Sequence, residues 1–365
     1  MSPDALGLSV VSLSWREAPS RVRALLAGGV PPEVWAGLQL QGGTGLVEVH
    51  TCARSMWLVS GGTGAWLGAL LHAHVQARCG VGPTVWTGTD ALTFLYRVAV
   101  GLDSLAQGEA DVGRQVRRAF AQARRVGHTD PLLHAAEHGL AHLAAAGQRE
   151  AFVRPNRGLG QLAVAALVDA GADRRIPVGV IGAGAIGRRV AASLIRAGWA
   201  PPVLYNRTAG PGLVALDRVG GHEALVVCTA GPAGWFRPPA DVRRVVDLGL
   251  PSQVDGPTIG LDRLLTGQQQ ALPEPVLARA EAAVAEEVLR VAERWRNVDL
   301  RRGLGGANVL RDRFVDECLE DALSEGLDGL APEQRRRVMR AAEGAIRRYN
   351  HQLLTWVRAG FGEGS

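Results

Sequence analysis

The stretch Pro177-Val178-Gly179-Val180-Ile181-Gly182-Ala183-Gly184-Ala185-Ile186-Gly187 decides the fold of this chain. Pro177 to Ile181 is a short apolar run bounded by turn signals, which predicts a buried strand, and Arg188 to Ala197 continues at helical spacing. Gly-x-Gly-x-x-Gly between a strand and a helix is the phosphate turn of a dinucleotide-binding unit. Gly182 permits the tight turn. Gly184 lets a pyrophosphate approach the backbone at the helix N-terminus, where free N–H groups and the helix dipole attract anions. Gly187 lets helix and strand pack closely. Gly182, Ala183, Gly184, Ala185, Ile186 and Gly187 are therefore the expected cofactor loop.

Downstream, Pro202-Val203-Leu204-Tyr205 predicts the second strand and ends in Asn206-Arg207-Thr208. A carboxylate at this place would bind the 2′-hydroxyl of NAD and repel a phosphate. An amide, a guanidinium and a hydroxyl stand there instead, suited to the 2′-phosphate of NADP. The expected cofactor is NADPH, with a tight turn before a loop as the plainer reading of the same three residues. Further parallel strands are predicted at Ala224–Thr229 and Arg244–Leu248. Cys228, inside the first of these, reads as a small buried residue. Ala209 to Gly221 is short and glycine-rich, so one crossover helix is expected to be reduced.

Upstream, Gly7–Leu13 predicts a strand, broken by Ala18-Pro19 before a helix at Arg21–Leu26. Leu46–Val49 predicts another strand, with Met56–Val59 as its continuation or pairing partner. Between them lies His50-Thr51-Cys52-Ala53-Arg54-Ser55. At period two, Cys52 and Arg54 would share one strand face. The guanidinium could then favour a thiolate or hold an anionic substrate group beside it. The alternative is a small buried cysteine capping a core strand. Trp66–Val75 and Leu92–Ala99 have helical patterns, as does the run through Val112, Val116 and Phe120. Ser104 and Glu109, in the interruption between the last two, read as an N-cap and a solvated acid. His134, His138 and His142 fall on one helical face, but the first and third lie two turns apart, too far for one ion to take all three. A polar or packing face is expected there, and no metal site.

From Pro275 onward the pattern is helical. Leu277, Val284, Val288, Val291 and Trp295 mark one stripe, with Glu281, Glu287 and Arg290 off it. A break is expected at Gly303–Gly306. A second helix would begin with Leu310, Phe314 and Leu319, and a third would carry Val338, Ala342, Ile346, Tyr349 and Leu353. Such amphipathic helices without a sheet must bury their stripes against each other or against a second subunit. The arginines at 335–337, 340, 347 and 348 read as a solvated face able to touch phosphates.

A chain of 365 residues exceeds one ordinary core, and 47% hydrophobic with 21% charged residues is the composition of a folded soluble protein. No apolar run is long enough for a membrane span, and Met1-Ser2-Pro3-Asp4 carries no secretion-type pattern, so a cytoplasmic protein is expected. Four cysteines without pairing or metal-type spacing fit a reducing compartment. All 40 Lys+Arg positions are arginine, which marks a compositional bias, and the net charge of +5 permits a polyanionic partner without requiring one. The expected fold class is an α/β multidomain chain. An N-terminal α+β domain (1–155) precedes an NADP-type Rossmann domain (156–268) and a C-terminal helical domain (269–365).

The order of features resembles the glutamyl-tRNA reductase family. It runs from Ala18-Pro19 and the strand-end Thr51-Cys52-x-Arg54 through Gly101-Leu102-Asp103-Ser104 with Gly108-Glu109. Val153-Arg154, Leu159-Gly160, the glycine loop and Asp247-Leu248-Gly249-Leu250-Pro251 follow. The resemblance covers nearly the whole length and implies NADPH-dependent reduction of glutamyl-tRNA(Glu) to glutamate-1-semialdehyde, the first step of tetrapyrrole synthesis. It implies Cys52 as the nucleophile that takes the glutamyl group as a thioester. Thr51, Ala53 and Arg54 would line the glutamate pocket, with Arg54 on the substrate carboxylate. Ser104, Glu109, Ala110, Asp111 and Gln115 would be further substrate contacts, with Glu109 on the ammonium group. A homodimer and a glutamate-1-semialdehyde aminomutase partner are also implied. The sequence departs from the family pattern at Glu17 (Thr), Ala53 (Asn), Phe94 (His) and Ala110-Asp111 (Pro-Gln). Those departures give a second reading, a weakly active paralogue that binds aminoacyl-tRNA or a pathway partner as a regulator. A different small-molecule dehydrogenase would leave Cys52-x-Arg54 and Gly101–Glu109 unexplained.

Overall fold

A computed structural model describes residues 6–26, 28–62, 64–104, 107–150, 152–153, 158–266, 271–313, 319, 327 and 329–360. The chain divides into two compact units, Met1–Ala292 and Glu293–Ser365.

The first unit contains two sheets. Strands β1 (Leu8–Ser14), β2 (Gly45–His50), β3 (Arg54–Ser60) and β4 (Thr84–Thr87) form an antiparallel sheet in the order β2-β3-β1-β4. Side chains alternate across it. Val11 and Leu13 of β1, with Trp57 and Val59 of β3, face α2 (Pro32–Leu40) and α3 (Gly64–Cys79), burying Trp35, Leu38, Leu67 and Leu71 in one core. Helix α1 (Ser20–Ala24) follows β1 directly. Helices α4 (Gly88–Ala99) and α5 (Ala110–Arg125) pack on β1 and β2, and α6 (Pro131–Arg149) packs on both helices. Helix α6 starts where Asp130 accepts the Leu133 N–H at 2.8 Å and Pro131 occupies the first turn, a donor-free position.

Leu46–Val49 and Met56–Val59 are partners, not one strand. They form a hairpin whose last pair is His50 with Ser55. Thr51, Cys52 and Ala53 are the turn, so the expectation that Cys52 and Arg54 share a strand face does not hold. The cause is that only three residues separate the strands, and the backbone reverses at the cysteine.

The second sheet is parallel: β5 (Gly179–Ile181), β6 (Val203–Asn206), β7 (Val214–Ala215), β8 (Ala224–Val227), β9 (Arg244–Asp247) and β10 (Ile259–Gly260), in the order β10-β9-β8-β5-β6-β7. Read from β5, this is the doubly wound order in which the direction of winding reverses between β5 and β8. One face is covered by helices. Val180, Val226 and Val246 pack with Ala163 and Leu167 of α7 (Leu159–Asp169), Val190 and Leu194 of α8 (Ala185–Arg196), and Leu264 of α9 (Leu261–Thr266). Leu194 is fully buried, so its truncation to alanine would cost about 2–5 kcal/mol. Across the sheet, Ile181, Leu225, Val227 and Val245 are covered by Phe236 and Val254, which belong to connecting segments. The reduced helix expected over 209–221 is a two-residue strand and a single 3-10 turn, Leu216–Arg218. The β8–β9 connection also lacks a helix.

Helix α10 (Glu274–Arg313) begins in this unit, where Ala280, Val284, Val288 and Val291 are buried. Glu287, expected off the stripe, is buried as well and meets His142 of α6 at 3.3 Å. The expected break at Gly303–Gly306 is absent: α10 runs through it. Glycine within a helix costs about 1 kcal/mol relative to alanine, which weakens a helix without ending it. Among its described residues, the second unit contains the remainder of α10 and α11 (Pro332–Gly360); Phe314 lies outside the described residues. Among the described residues, no three His, Cys, Asp or Glu side chains gather as a metal site, and no helix is long and apolar enough to cross a membrane.

Candidate active site

A cleft of about 250 Å3 opens between the two sheets of the first unit. One wall is the hairpin turn, with Thr51, Cys52, Ala53 and Arg54. The loop between α4 and α5 adds Ser104 and Glu109, and α5 adds Asp111 and Gln115. The opposite wall comes from Gly158 at the head of α7 and from Ile186 and Arg189 of α8. Ala110 begins α5 without lining the cleft.

The cysteine turn is built by Thr51. Its N–H donates to the Arg54 carbonyl at 2.8 Å, and its hydroxyl accepts the N–H groups of Ala53 and Arg54 at 3.2 and 3.0 Å. A Ser/Thr side chain binding the backbone just ahead is a local way to close a turn. Cys52 is partly accessible. Burial pushes its thiol up to about 12, the negative charge of Glu109 adds to this, and Arg23 opposes it. The resting side chain is therefore a neutral thiol.

Arg54 is not the cation beside that thiol. It is buried and committed elsewhere, donating to the Ser12 hydroxyl at 3.0 Å and the Asp103 carbonyl at 3.2 Å and pairing with the Asp103 carboxylate. Asp103 also holds Arg16, at 2.8 Å. The cation next to Cys52 is Arg23, fully buried on α1, whose guanidinium donates to the Cys52 carbonyl at 2.7 Å. Sequence reasoning missed it, because Arg23 sits in a short basic helix that resembles an exposed one.

Glu109 is not a solvated acid, nor is Ser104 a helix cap. Glu109 itself occupies the N-cap position of α5, and the Ser104 N–H donates to Gly101 at 3.2 Å. Burial raises the Glu109 carboxyl to about 7, with Arg114 pulling the other way. The acid presses against Gly158, where any Cβ would run into it. Asp111 bridges Arg114 on its own helix and Arg189 on α8, an ion-pair link across the cleft. Phe94 does not line the cleft; it is buried against Trp86.

The glycine turn follows β5 at the reversal point of the sheet, where ligands of open α/β sheets bind beyond the strand ends. Gly182 has φ +98°, a conformation L side chains rarely adopt. A Cβ on Gly187 would strike the Gly182 carbonyl, so only glycine lets α8 sit this close. A Cβ on Gly184 would meet nothing within 4 Å, which leaves room for a phosphate at a helix start that no side chain caps. Ala183 completes the turn and Ala185 opens α8. At the end of β6, Asn206 donates to the Thr208 carbonyl at 3.3 Å, and Arg207 and Thr208 are exposed. The residues present fit a phosphorylated dinucleotide. Asp247 lies at the end of β9. Its buried carboxylate accepts the N–H of Gly249, the Ser252 hydroxyl and the N–H of Gln253 at 2.7–2.9 Å, shaping the loop that reaches Leu250.

A thiol sharing its cleft with the first turn of the helix after a dinucleotide-type glycine loop is the arrangement of an oxidoreductase. The comparisons narrow the class. The family model for the N-terminal domain of Glutamyl-tRNAGlu reductase matches residues 11–150. The glutamyl-tRNA reductase of Thermus thermophilus is 31% identical over 282 residues, 70% of each chain. That of Pyrobaculum islandicum is 28% identical over 77% of each, and glutamyl-tRNA reductase 2 of Pyrobaculum arsenaticum is 26% identical over 95% of this chain and 88% of its own. Among solved structures, glutamyl-tRNA reductase from Methanopyrus kandleri overlays 98% of this chain at 22% identity with a TM-score of 0.48. This chain belongs to the glutamyl-tRNA reductase family. It is an enzyme of that type, an oxidoreductase of tetrapyrrole biosynthesis.

Proposed function

We propose that the chain reduces glutamyl-tRNA(Glu) to glutamate-1-semialdehyde with NADPH, through a thioester on Cys52. The observation that carries this reading is the single cleft bounded by Cys52 on one side and the first turn of α8 on the other. Gly182–Gly187 would hold the pyrophosphate, and Asn206, Arg207 and Thr208 the 2′-phosphate. NADPH, when bound, supplies the hydride that reduces the acyl group.

Cys52 must first lose its proton. Glu109, in the same cleft and with a carboxyl near 7, can take that proton or hold the substrate ammonium, since an opposite charge beside it favours its ionised form. The Cys52 thiolate attacks the ester carbonyl, the C–O bond to the terminal ribose breaks, and the ribose oxygen leaves with a proton. Reduction of the thioester breaks its C–S bond, so the aldehyde leaves and the Cys52 thiolate takes a proton from solvent. Thr51 keeps the turn in shape. Arg54, Ser104, Asp111 and Gln115 bound the substrate space, and Ala53 leaves more of it open than an asparagine would.

Within this reading, residues 1–155 are the catalytic domain, 156–268 bind the cofactor, and 269–365 pair two copies into a homodimer. The protein works in the cytoplasm and passes its aldehyde to a glutamate-1-semialdehyde aminomutase. The test is NADPH oxidation dependent on glutamyl-tRNA(Glu), comparing the parent chain with Cys52→Ser. Turnover that collapses in the variant supports the reading; an equal background rate in both rejects it.

A further inference from the structure

We infer that Asp262, the second residue of α9, is a positioning residue for Cys52, acting through Ser20 and Arg23 to fasten the cysteine turn to the nucleotide-binding sheet. The inference rests on Cys52 being the nucleophile. The contacts run in one chain. The Asp262 carboxylate accepts the Ser20 N–H at 2.8 Å and the Ser20 hydroxyl at 2.8 Å, which pins the start of α1 from 242 residues away in sequence. One turn later α1 presents Arg23. Its guanidinium lies 3.8 Å from Asp262 and donates to the Cys52 carbonyl at 2.7 Å and the Ala18 carbonyl at 2.5 Å. A fully buried guanidinium with its Nε–H unpartnered is costly, and neighbouring negative charge offsets part of that cost. Apolar contact runs the same way: Cys52 and Ala53 pack on Leu261 and Leu265 of α9 itself.

Helix α9 directly follows β10, the edge strand of the parallel sheet. The backbone of the cysteine is thus referenced to the domain that holds the hydride donor, by a route that avoids the glycine turn. Arg54 cannot serve this purpose, because Asp103 and Ser12 occupy it. Losing the tie would hydrate the thiol, lowering its resistance to ionisation, while spoiling its alignment. Reactivity toward a small reagent and catalytic rate should then move in opposite directions.

The test uses the full chain with Asp262→Ala, Asp262→Asn and Ser20→Ala. Alkylation of Cys52 by iodoacetamide is followed by peptide mass at mildly alkaline pH, alongside kcat and KM for glutamyl-tRNA. Asp262→Ala is expected to raise the alkylation rate roughly fivefold as burial relaxes. It should lower kcat about tenfold with KM nearly unchanged. Asp262→Asn, which keeps an acceptor for Ser20, should recover most of both changes. Ser20→Ala should show a smaller version of them, and it stands in should Asp262→Ala fail to fold. Alkylation unchanged in all three variants overturns the inference whatever kcat does. Turnover that survives Cys52→Ser would instead overturn the thioester reading, and alkylation would still report on the tie.

Discussion

The guanidinium of Arg54 lies 5.0 Å over the ring of Phe94, whose other neighbour is Trp86, stacked with 3.5 Å between ring centroids. Phe94 builds an aromatic shelf under a buried cation. Phe94→His should destabilise the chain by about 1–2 kcal/mol through loss of stacking and cation–π contact, read as a lower denaturation midpoint. The new imidazole would lie next to Arg54, away from the cleft lining, and burial beside a cation would keep it neutral. Single-turnover formation of the Cys52 thioester should therefore not speed up, and a faster rate would show that position 94 reaches the substrate.

Glu109 gives stability a specific pH dependence. Its folded carboxyl titrates near 7, above the ordinary carboxylate value, so the folded state binds more protons than the unfolded one between those limits. The stabilisation is fully present below the ordinary value and is lost as pH rises through 7. Each unit is worth about 1.4 kcal/mol, so the whole effect is at most roughly 3.5 kcal/mol. Glu109→Gln should flatten this portion of the stability–pH curve in urea melts. Parallel curves for the two proteins would count against a raised Glu109 carboxyl.

The glycine turn offers a matched pair. Gly187→Ala drives a Cβ into the Gly182 carbonyl and should cost several kcal/mol or prevent folding. Gly184→Ala adds a methyl to open space at an ordinary φ of −71° and should leave thermal stability intact. If the pyrophosphate lies there, NADPH affinity by fluorescence titration should nevertheless fall about tenfold or more. Unchanged affinity would move the cofactor elsewhere.

In the proposed reading Arg207, exposed just beyond β6, meets the 2′-phosphate. Arg207→Asp should weaken NADPH by roughly 10–100-fold and spare NADH, because a carboxylate repels the phosphate and accepts a ribose hydroxyl. Equal effects on both nucleotides would assign the 2′-phosphate to another group.

Much of this was legible in the sequence, for local reasons. The glycine turn, the strands around it and the helices through Val112–Phe120 each carry their signal within one or two turns of chain. The cysteine hairpin was half legible: both strands were visible, but a turn of Thr51, Cys52 and Ala53 contains neither Gly nor Pro and resembles continued strand. Asp262 was invisible because its meaning comes from contact with Ser20, 242 residues away, and Arg23 because its short basic helix resembles an exposed one. Glu109 resembles a solvated acid because Gly158, against which it packs, lies on another element. At Gly303–Gly306 composition misled, since small helix penalties were read as a stop.

The parallel sheet has helices on one face and connecting segments on the other. An insertion into α8 ahead of Arg189 would rotate every later side chain on that helix by about 100° and pull Arg189 out of the cleft. An added residue between Ala209 and Leu213 only lengthens an exposed excursion beyond β6. The two faces therefore differ in their tolerance of added residues. Chain length can drift on the loop-covered side, while the helical side is held to its residue count by the chemistry in front of it.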